Sequence, residues 1–139
     1  MINVLQDLRI FRQRSNFFTG KEGVITVRDL IKWGNRPVSS ILELGIEGYC
    51  ILAERLRTSE ERTFIKKVLE KNLKIEINTD AYYQDKAIER LDKSIESFPF
   101  YIQMNQSFKR MAVLTMKCML QGEPVLLIGE TGCGKTTLC

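Results

Sequence analysis

The chain has 139 residues, and its composition of 44% hydrophobic and 27% charged residues is typical of a globular protein. Its formal net charge of +4 arises from 21 basic against 17 acidic residues with interspersed signs, so we expect no direct nucleic-acid binding, which needs a dense basic stripe. No apolar run approaches the roughly 20 residues that cross a bilayer, and the N-terminus lacks the layout of a secretory signal, so we expect an intracellular protein without a membrane partner.

Two helices are predicted before Pro37. Apolar residues recur at helical spacing from Met1 to Arg14, which predicts an amphipathic helix, and residues 19–23 form a predicted turn. Thr26 then has the position of an N-cap with Asp29 three residues on, an approximate capping box that opens a second helix. That helix must end or bend before Pro37.

Two further helices complete the N-terminal part. A third is predicted from Ser39 to Leu56, where Gly45 and Gly48 in the middle of one face indicate close helix packing. Thr58 and Glu61 form a second capping box, which opens a fourth helix. The predicted core of this helical domain, residues 1–73, contains Leu30, Trp33, Leu44, Leu52, Phe64 and Val68.

The middle of the chain has weaker patterns. Residues 73–77 alternate between apolar and polar side chains, which predicts a short half-exposed strand. Residues 81–97 carry helical features among many charges, and we predict a connector at 74–105, with an ordinary surface helix of a single domain as the alternative. A stronger helix follows from Ser107 to Gln121, and Gly122 is its predicted stop.

A glycine-rich loop follows a short apolar run near the end of the sequence. Val125 to Ile128 is the unbroken apolar run expected of a buried parallel strand. It leads into Gly129 to Thr136, GETGCGKT, which fits the phosphate-binding pattern G-x-x-x-x-G-K-[ST] at every fixed position. The alternative is a glycine turn that binds nothing.

The residue types of this loop suit the phosphates of ATP. Gly129, Gly132 and Gly134 would let the backbone turn with positive φ, so that amide N–H groups face the anion. Lys135 would reach the β- and γ-phosphates, and Thr136 would offer its hydroxyl to Mg²⁺. The predicted ATP-phosphate contacts are Gly129, Glu130, Thr131, Gly132, Cys133, Gly134, Lys135, Thr136 and Thr137.

Other chemistry is not indicated by the sequence. Residues 135–139 alone follow the loop glycines, so we expect the acidic Mg²⁺ motif, the water-positioning residue and the arginine finger to be missing through truncation, with no catalytic residue inside this chain. The four cysteines have no C-x-x-C spacing and the chain has no histidine, which disfavours a structural metal and favours free thiols.

Four segments, two of which overlap, carry a family resemblance. GEPVLLIGETGCGKTT (Gly122 to Thr137) resembles the start of an AAA+ ATPase unit, in particular a repeated unit of the midasin family, and FKRMAVLTMKCMLQGEPVLLIGETG (Phe108 to Gly132) is similar to the same opening. ITVRDLIKWGNR (Ile25 to Arg36) and GYCILAERLR (Gly48 to Arg57) resemble the helical lid that closes the preceding unit. The resemblance covers nearly all of the chain and is weakest over 74–105.

The resemblance implies a fold and a function. The fold would be mainly α, with a helical AAA+ lid at 1–73, a connector at 74–105 and a truncated start of an α/β P-loop NTPase domain at 106–139. Midasin-family proteins are dynein-like ATPases of the nucleolus and nucleoplasm that use ATP to remove assembly factors from large ribosomal subunit precursors. The implied cofactors are ATP and Mg²⁺, and the implied partners are neighbouring AAA+ units, pre-ribosomal particles and assembly factors.

One residue of the lid is assigned through the resemblance. Arg28 is similar to the sensor-2 arginine that contacts the γ-phosphate of a bound nucleotide, without indicating which nucleotide. The alternative is a first-turn arginine on an exposed face, or one paired with Glu22 or Asp29. Trp33 also matches the family, and we predict a packing role for it.

The resemblance favours an ATPase motor segment, and we expect the isolated piece to be inactive. Two other functions are alternatives to it. One is a non-catalytic structural AAA+ module that transmits motion between neighbouring units. The other is a P-loop kinase or GTPase, which is disfavoured because nothing in those folds explains a helical domain ahead of the loop.

Overall fold

A computed structural model describes residues 1–14, 25–56, 58–83 and 106–138. The predicted turn at 19–23 and most of the predicted connector lie outside these ranges. The helices are α1 (Ile2–Arg14), α2 (Val27–Gly34), α3 (Ile41–Leu52), α4 (Ser59–Leu73), α5 (Thr79–Ala81), α6 (Gln106–Leu120) and α7 (Lys135–Leu138). The predicted mainly helical fold is confirmed, and the described residues contain no strand.

The chain divides into two compact units, Met1–Ile77 and Asn78–Cys139. The domain boundaries drawn from the sequence, at 73/74 and 105/106, stay predictions. Within the described ranges no helix is long and apolar enough to span a bilayer.

The helices of the first unit begin where their capping residues stand. The Thr26 N–H donates to Asp29 Oδ2 at 2.7 Å, which fixes the start of α2 as predicted. Thr58 accepts from the Glu61 N–H at 3.2 Å at the start of α4, so the second capping box is also confirmed. Helix α3 is shorter than predicted, because the chain turns after Leu52 to reach the Thr58 cap.

Trp33 is the centre of the core of the first unit. Its side chain is 0% exposed, and its indole N–H donates to the Leu44 carbonyl at 2.8 Å. Gly48 lies against the indole, where a Cβ atom would stand 2.6 Å from Trp33 Cζ2, so the predicted close packing of helices is present. Of the predicted core residues, Trp33, Leu52 and Val68 are buried, and Leu30, Leu44 and Phe64 pack against them partly buried.

The strand predicted at 73–77 is wrong. Leu73 still belongs to α4, which ends at Lys74 with φ 55°, and the residues that follow have no strand partner among the described residues. Ile77 is nevertheless 1% exposed, and its N–H donates to Glu70 Oε1 at 2.9 Å. Ile75 packs on the face of α3 that Gly45 leaves open. The alternating pattern therefore comes from an extended segment that packs on the helices.

The second unit has α6 as its main element. Its described core consists of Tyr83, Ala112 and Val113, with Leu138 of α7 packed against them. Gly122 has φ 63° and its N–H donates to the Met119 carbonyl at 3.0 Å, so it ends α6 as predicted.

The buried strand predicted at 125–128 is also wrong for this structure. The segment has no strand partner in the described ranges, and Leu126 and Ile128 are 82% and 85% exposed. An apolar strand is buried only when neighbouring strands and helices cover it, and no described element does so here. The α/β part of the predicted fold stays a prediction.

Candidate functional site

The backbone of the glycine loop has positive φ at two positions, where glycine is favoured. Gly132 has φ 85° and Gly134 has φ 86°, as predicted. Gly129 does not have positive φ, so that part of the prediction is wrong. A Cβ atom at Gly129 would lie 3.0 Å from Cys133 Sγ, so a side chain there would crowd the loop.

The Lys135 side chain closes this loop. Its ammonium donates to the Gly129 carbonyl at 2.8 Å and to the Glu130 carbonyl at 2.6 Å, and it lies 3.4 Å from Cys133 Sγ. An ammonium has three donors, and thiol sulfur is a weak acceptor, so one donor remains for a stronger acceptor. The lysine therefore places a positive charge inside the loop while it holds the two ends of the loop together.

Two backbone amides of the loop are open to a ligand. Among the described residues, neither the Gly132 nor the Gly134 N–H donates a hydrogen bond. Helix α7 begins directly after them at Lys135. Such amides beside a cation are the groups that bind phosphate oxygens in glycine loops.

The hydroxyl side chains of the loop are accessible. Thr131, Thr136 and Thr137 are exposed, as are Glu130 and Cys133. Mg²⁺ is a hard cation that takes oxygen ligands and keeps several waters, so the Thr136 hydroxyl fits the role of one ligand beside phosphate oxygens. The described residues contain no cluster of three or more His, Cys, Asp or Glu side chains that could hold a metal by themselves.

Phe108 supports the loop from α6. It is 6% exposed, and a Cβ atom at Gly134 would stand 2.9 Å from Phe108 Cδ2, so the ring lies directly against the loop backbone. Phe108 falls within the helix predicted from Ser107 to Gln121, but the sequence did not indicate this contact. The available signal was weak, because an aromatic at helical spacing is usually a core residue.

Arg28 lies on the first turn of α2 in the other unit. Its side chain is exposed, and it makes no hydrogen bond or ion pair with the described residues. The neighbouring Asp29 instead binds Arg55, with Arg55 Nη1 donating to Asp29 Oδ1 at 3.0 Å. Arg28 therefore has the geometry of the alternative, a first-turn arginine on an exposed face. An Arg28–Asp29 pair is not found, and Glu22 lies outside the described residues.

The comparisons with known proteins show the family of the chain. A family model described as the midasin AAA lid domain matches residues 1–76. A protein named midasin from Dictyostelium discoideum is 42% identical over 100% of this chain, and one from Giardia intestinalis is 24% identical over 99% of it. The chain spans about 3% of the length of each of these relatives. No solved structure matches the chain.

Proposed function

This chain belongs to the midasin AAA lid family, and from that membership we propose that it works inside a larger ATP-driven AAA+ motor. In this proposal residues 1–73 are the lid of one AAA+ unit, and residues 106–139 open the next unit with its ATP-binding loop. Residues 74–105 connect the two. The motor is an ATPase, and this segment by itself is inactive.

The loop geometry supports ATP binding most directly. Gly132 and Gly134 leave two amides without an acceptor among the described residues, and the Lys135 ammonium lies inside the same loop. An oxyanion bound at this loop would have these N–H donors and a positive charge available to it. The Thr136 hydroxyl stands next in sequence, where it would take one position on Mg²⁺.

The position of Arg28 supports a second phosphate contact. A cation on the first turn of a helix is disfavoured by the helix dipole by about 0.3 to 1 kcal/mol, so this arginine does not serve the stability of α2. Exposed and without a partner in the described ranges, it is available to an anion. In the proposal it acts as the sensor-2 arginine of its unit.

The remaining parts of the proposal follow from the family resemblance. The motor removes assembly factors from precursors of the large ribosomal subunit, and it does so in the nucleolus and nucleoplasm. Its partners are the neighbouring AAA+ units of the same chain and the pre-ribosomal particle.

Substitution of Lys135 tests the ATP site. In the full-length AAA+ protein, Lys135→Ala should weaken photo-crosslinking of labelled azido-ATP to this loop by about tenfold or more, because the only loop cation is lost. Lys109→Ala is the matched control, since Lys109 is a half-buried lysine of α6 outside the loop. Unchanged labelling in Lys135→Ala would show that this loop does not bind ATP.

A second candidate is a structural AAA+ module that binds nucleotide without turnover. The observation that favours it is the well-packed core of Met1–Ile77, which contrasts with the exposed segment at 125–128. The two candidates differ in hydrolysis: labelled ATP bound at this loop is converted to ADP by a motor unit and stays ATP in a structural module.

A further inference from the structure

The ion pair between Asp29 and Arg55 lies directly beside Arg28. Arg55 Nη1 donates to Asp29 Oδ1 at 3.0 Å, and Arg55 Nη2 lies 3.4 Å from Asp29 Oδ2. The side chain of Arg55 is 31% exposed and that of Asp29 is 13% exposed, so the pair is partly shielded from solvent. Partly shielded, two-point contacts of this kind constrain geometry more than an exposed ion pair does.

The same carboxylate also fixes the backbone of the first turn of α2. Asp29 Oδ2 accepts from the Thr26 N–H at 2.7 Å and from the Thr26 hydroxyl at 2.9 Å. Asp29 therefore joins the residue before α2, the first turn of α2 and the turn after α3. In sequence, Arg28 lies between Thr26 and Asp29, the two residues that these hydrogen bonds join.

Helix α2 is short enough to depend on such anchors. It has eight residues, and isolated helices shorter than about 12 residues are marginal in water. Trp33 anchors its C-terminal end through the core and through the hydrogen bond to the Leu44 carbonyl. At the N-terminal end the partly buried Leu30 and, ahead of the helix, Ile25 pack against the core. The Asp29–Arg55 pair adds a polar anchor beside Val27 and Arg28, which are both exposed.

We propose that Asp29 and Arg55 are positioning residues that hold the first turn of α2 so that Arg28 points out of the lid toward the γ-phosphate. This inference rests on the proposed sensor-2 role of Arg28. The pair itself does not touch nucleotide: successive helix residues project about 100° apart, and the Asp29 carboxylate is occupied by Thr26 and Arg55.

The test uses the full-length AAA+ protein and reads the affinity for ATP and for ADP separately. Azido-ATP is crosslinked and the labelled peptides are quantified by mass spectrometry, with competition by unlabelled ATP or ADP. Arg28→Ala should weaken competition by ATP about tenfold at one site and leave ADP unchanged, because ADP has no γ-phosphate. Arg55→Met and Asp29→Asn should cause a smaller loss, about threefold to tenfold, with the same selectivity for ATP.

A double-mutant cycle separates positioning from general stability. If Arg55 acts through Arg28, Arg55→Met has no further effect on ATP competition in the Arg28→Ala background, whereas a merely structural role gives additive losses. There are two matched controls. Lys66→Met removes the Lys66–Glu70 ion pair on α4. Glu43→Gln weakens the contacts to Ser39 ahead of α3. Both controls should leave ATP and ADP competition unchanged.

The outcomes are distinguishable. No effect of Arg28→Ala on ATP competition would overturn the proposed sensor-2 role. An effect of Arg28→Ala with none from Arg55→Met and Asp29→Asn would overturn the positioning role alone, as would additive losses in the cycle. Arg55→Lys gives the finer check, because it keeps the charge but loses the two-point geometry and should recover only part of the ATP affinity.

Discussion

At the scale of single residues, two glycines of α3 contact different neighbours, and each allows a close approach that a side chain would prevent. Gly48 meets the indole of Trp33, and Gly45 meets the side chain of Ile75, in both cases at distances that leave no room for a Cβ atom. The Trp33 indole has no space to shift away from a Cβ atom at Gly48, because it is fully buried and hydrogen-bonded to the Leu44 carbonyl. The missing side chain at Gly48 therefore lets α2 approach α3, and the missing side chain at Gly45 lets Ile75 pack on α3.

Gly48→Ala should destabilise the chain by about 1 to 2 kcal/mol, because a Cβ atom 2.6 Å from a buried ring carbon puts the overpacking cost in the upper part of its range of about 1 to 3 kcal/mol, which exceeds the helix-propensity gain of about 1 kcal/mol. The melting temperature should fall by several degrees, on the order of 4–8 °C per kcal/mol. Gly34→Ala is the matched control, because its Cβ atom would only make ordinary contact with Met1 Cε at 3.6 Å. Equal or higher stability of Gly48→Ala would contradict the close packing on Trp33.

At the scale of elements, the lid helices begin at side-chain caps and are held by packing. Helix α4 shows both contributions. At its start the Thr58 hydroxyl accepts from the Glu61 N–H. Along the helix, the buried residues are Ile65, Val68 and Leu69. The helix ends at Lys74 in the left-handed region, and the chain then returns over α3. The capping signals were readable because they depend on residues only three apart.

Thr58→Ala should cost about 1 kcal/mol, because it leaves the first turn of α4 without its side-chain acceptor. The measurement is thermal unfolding followed by circular dichroism, with Thr63→Ala as the control. Thr63 donates its hydroxyl to the Ser59 carbonyl within α4, and alanine there is a better helix former, so stability should change by less than about 0.5 kcal/mol. The cap assignment fails if the two variants melt alike.

At the scale of the whole chain, the two units differ in how well their apolar residues are covered. The first unit encloses Trp33, Leu52 and Ile65 at 0% exposure. In the second unit the segment ahead of the loop leaves Leu126 and Ile128 largely exposed. The glycine loop lies against Phe108, and Leu138 after it packs on the core of the second unit. The phosphate binding that we propose needs such a rigid support for the loop amides.

The 139-residue chain alone should therefore bind Mg-ATP weakly and release no phosphate. The expected calorimetric titration shows a dissociation constant well above the low micromolar range, because the described residues offer only the loop, Lys135 and Thr136 to the nucleotide. A low micromolar constant, or phosphate release that Lys135→Ala abolishes, would contradict this prediction.

The sequence by itself determined the helices of the lid, both capping boxes and the positive φ of Gly132 and Gly134. These features depend on residues a few positions apart, so local spacing carries them. It also predicted that Gly45 and Gly48 mark a close packing face. It failed at 73–77 and at 125–128, where a strand pattern was present but no partner strand exists among the described residues.

What only the tertiary structure decided is which distant side chains meet. Asp29 was readable as a cap but not as the partner of Arg55, and Phe108 was readable as apolar but not as the support of Gly134. In each of these two cases the residues are 26 positions apart, and they meet because the chain folds back and excludes water from the contact. The spacing of residues along the sequence does not indicate which of them will meet in this way.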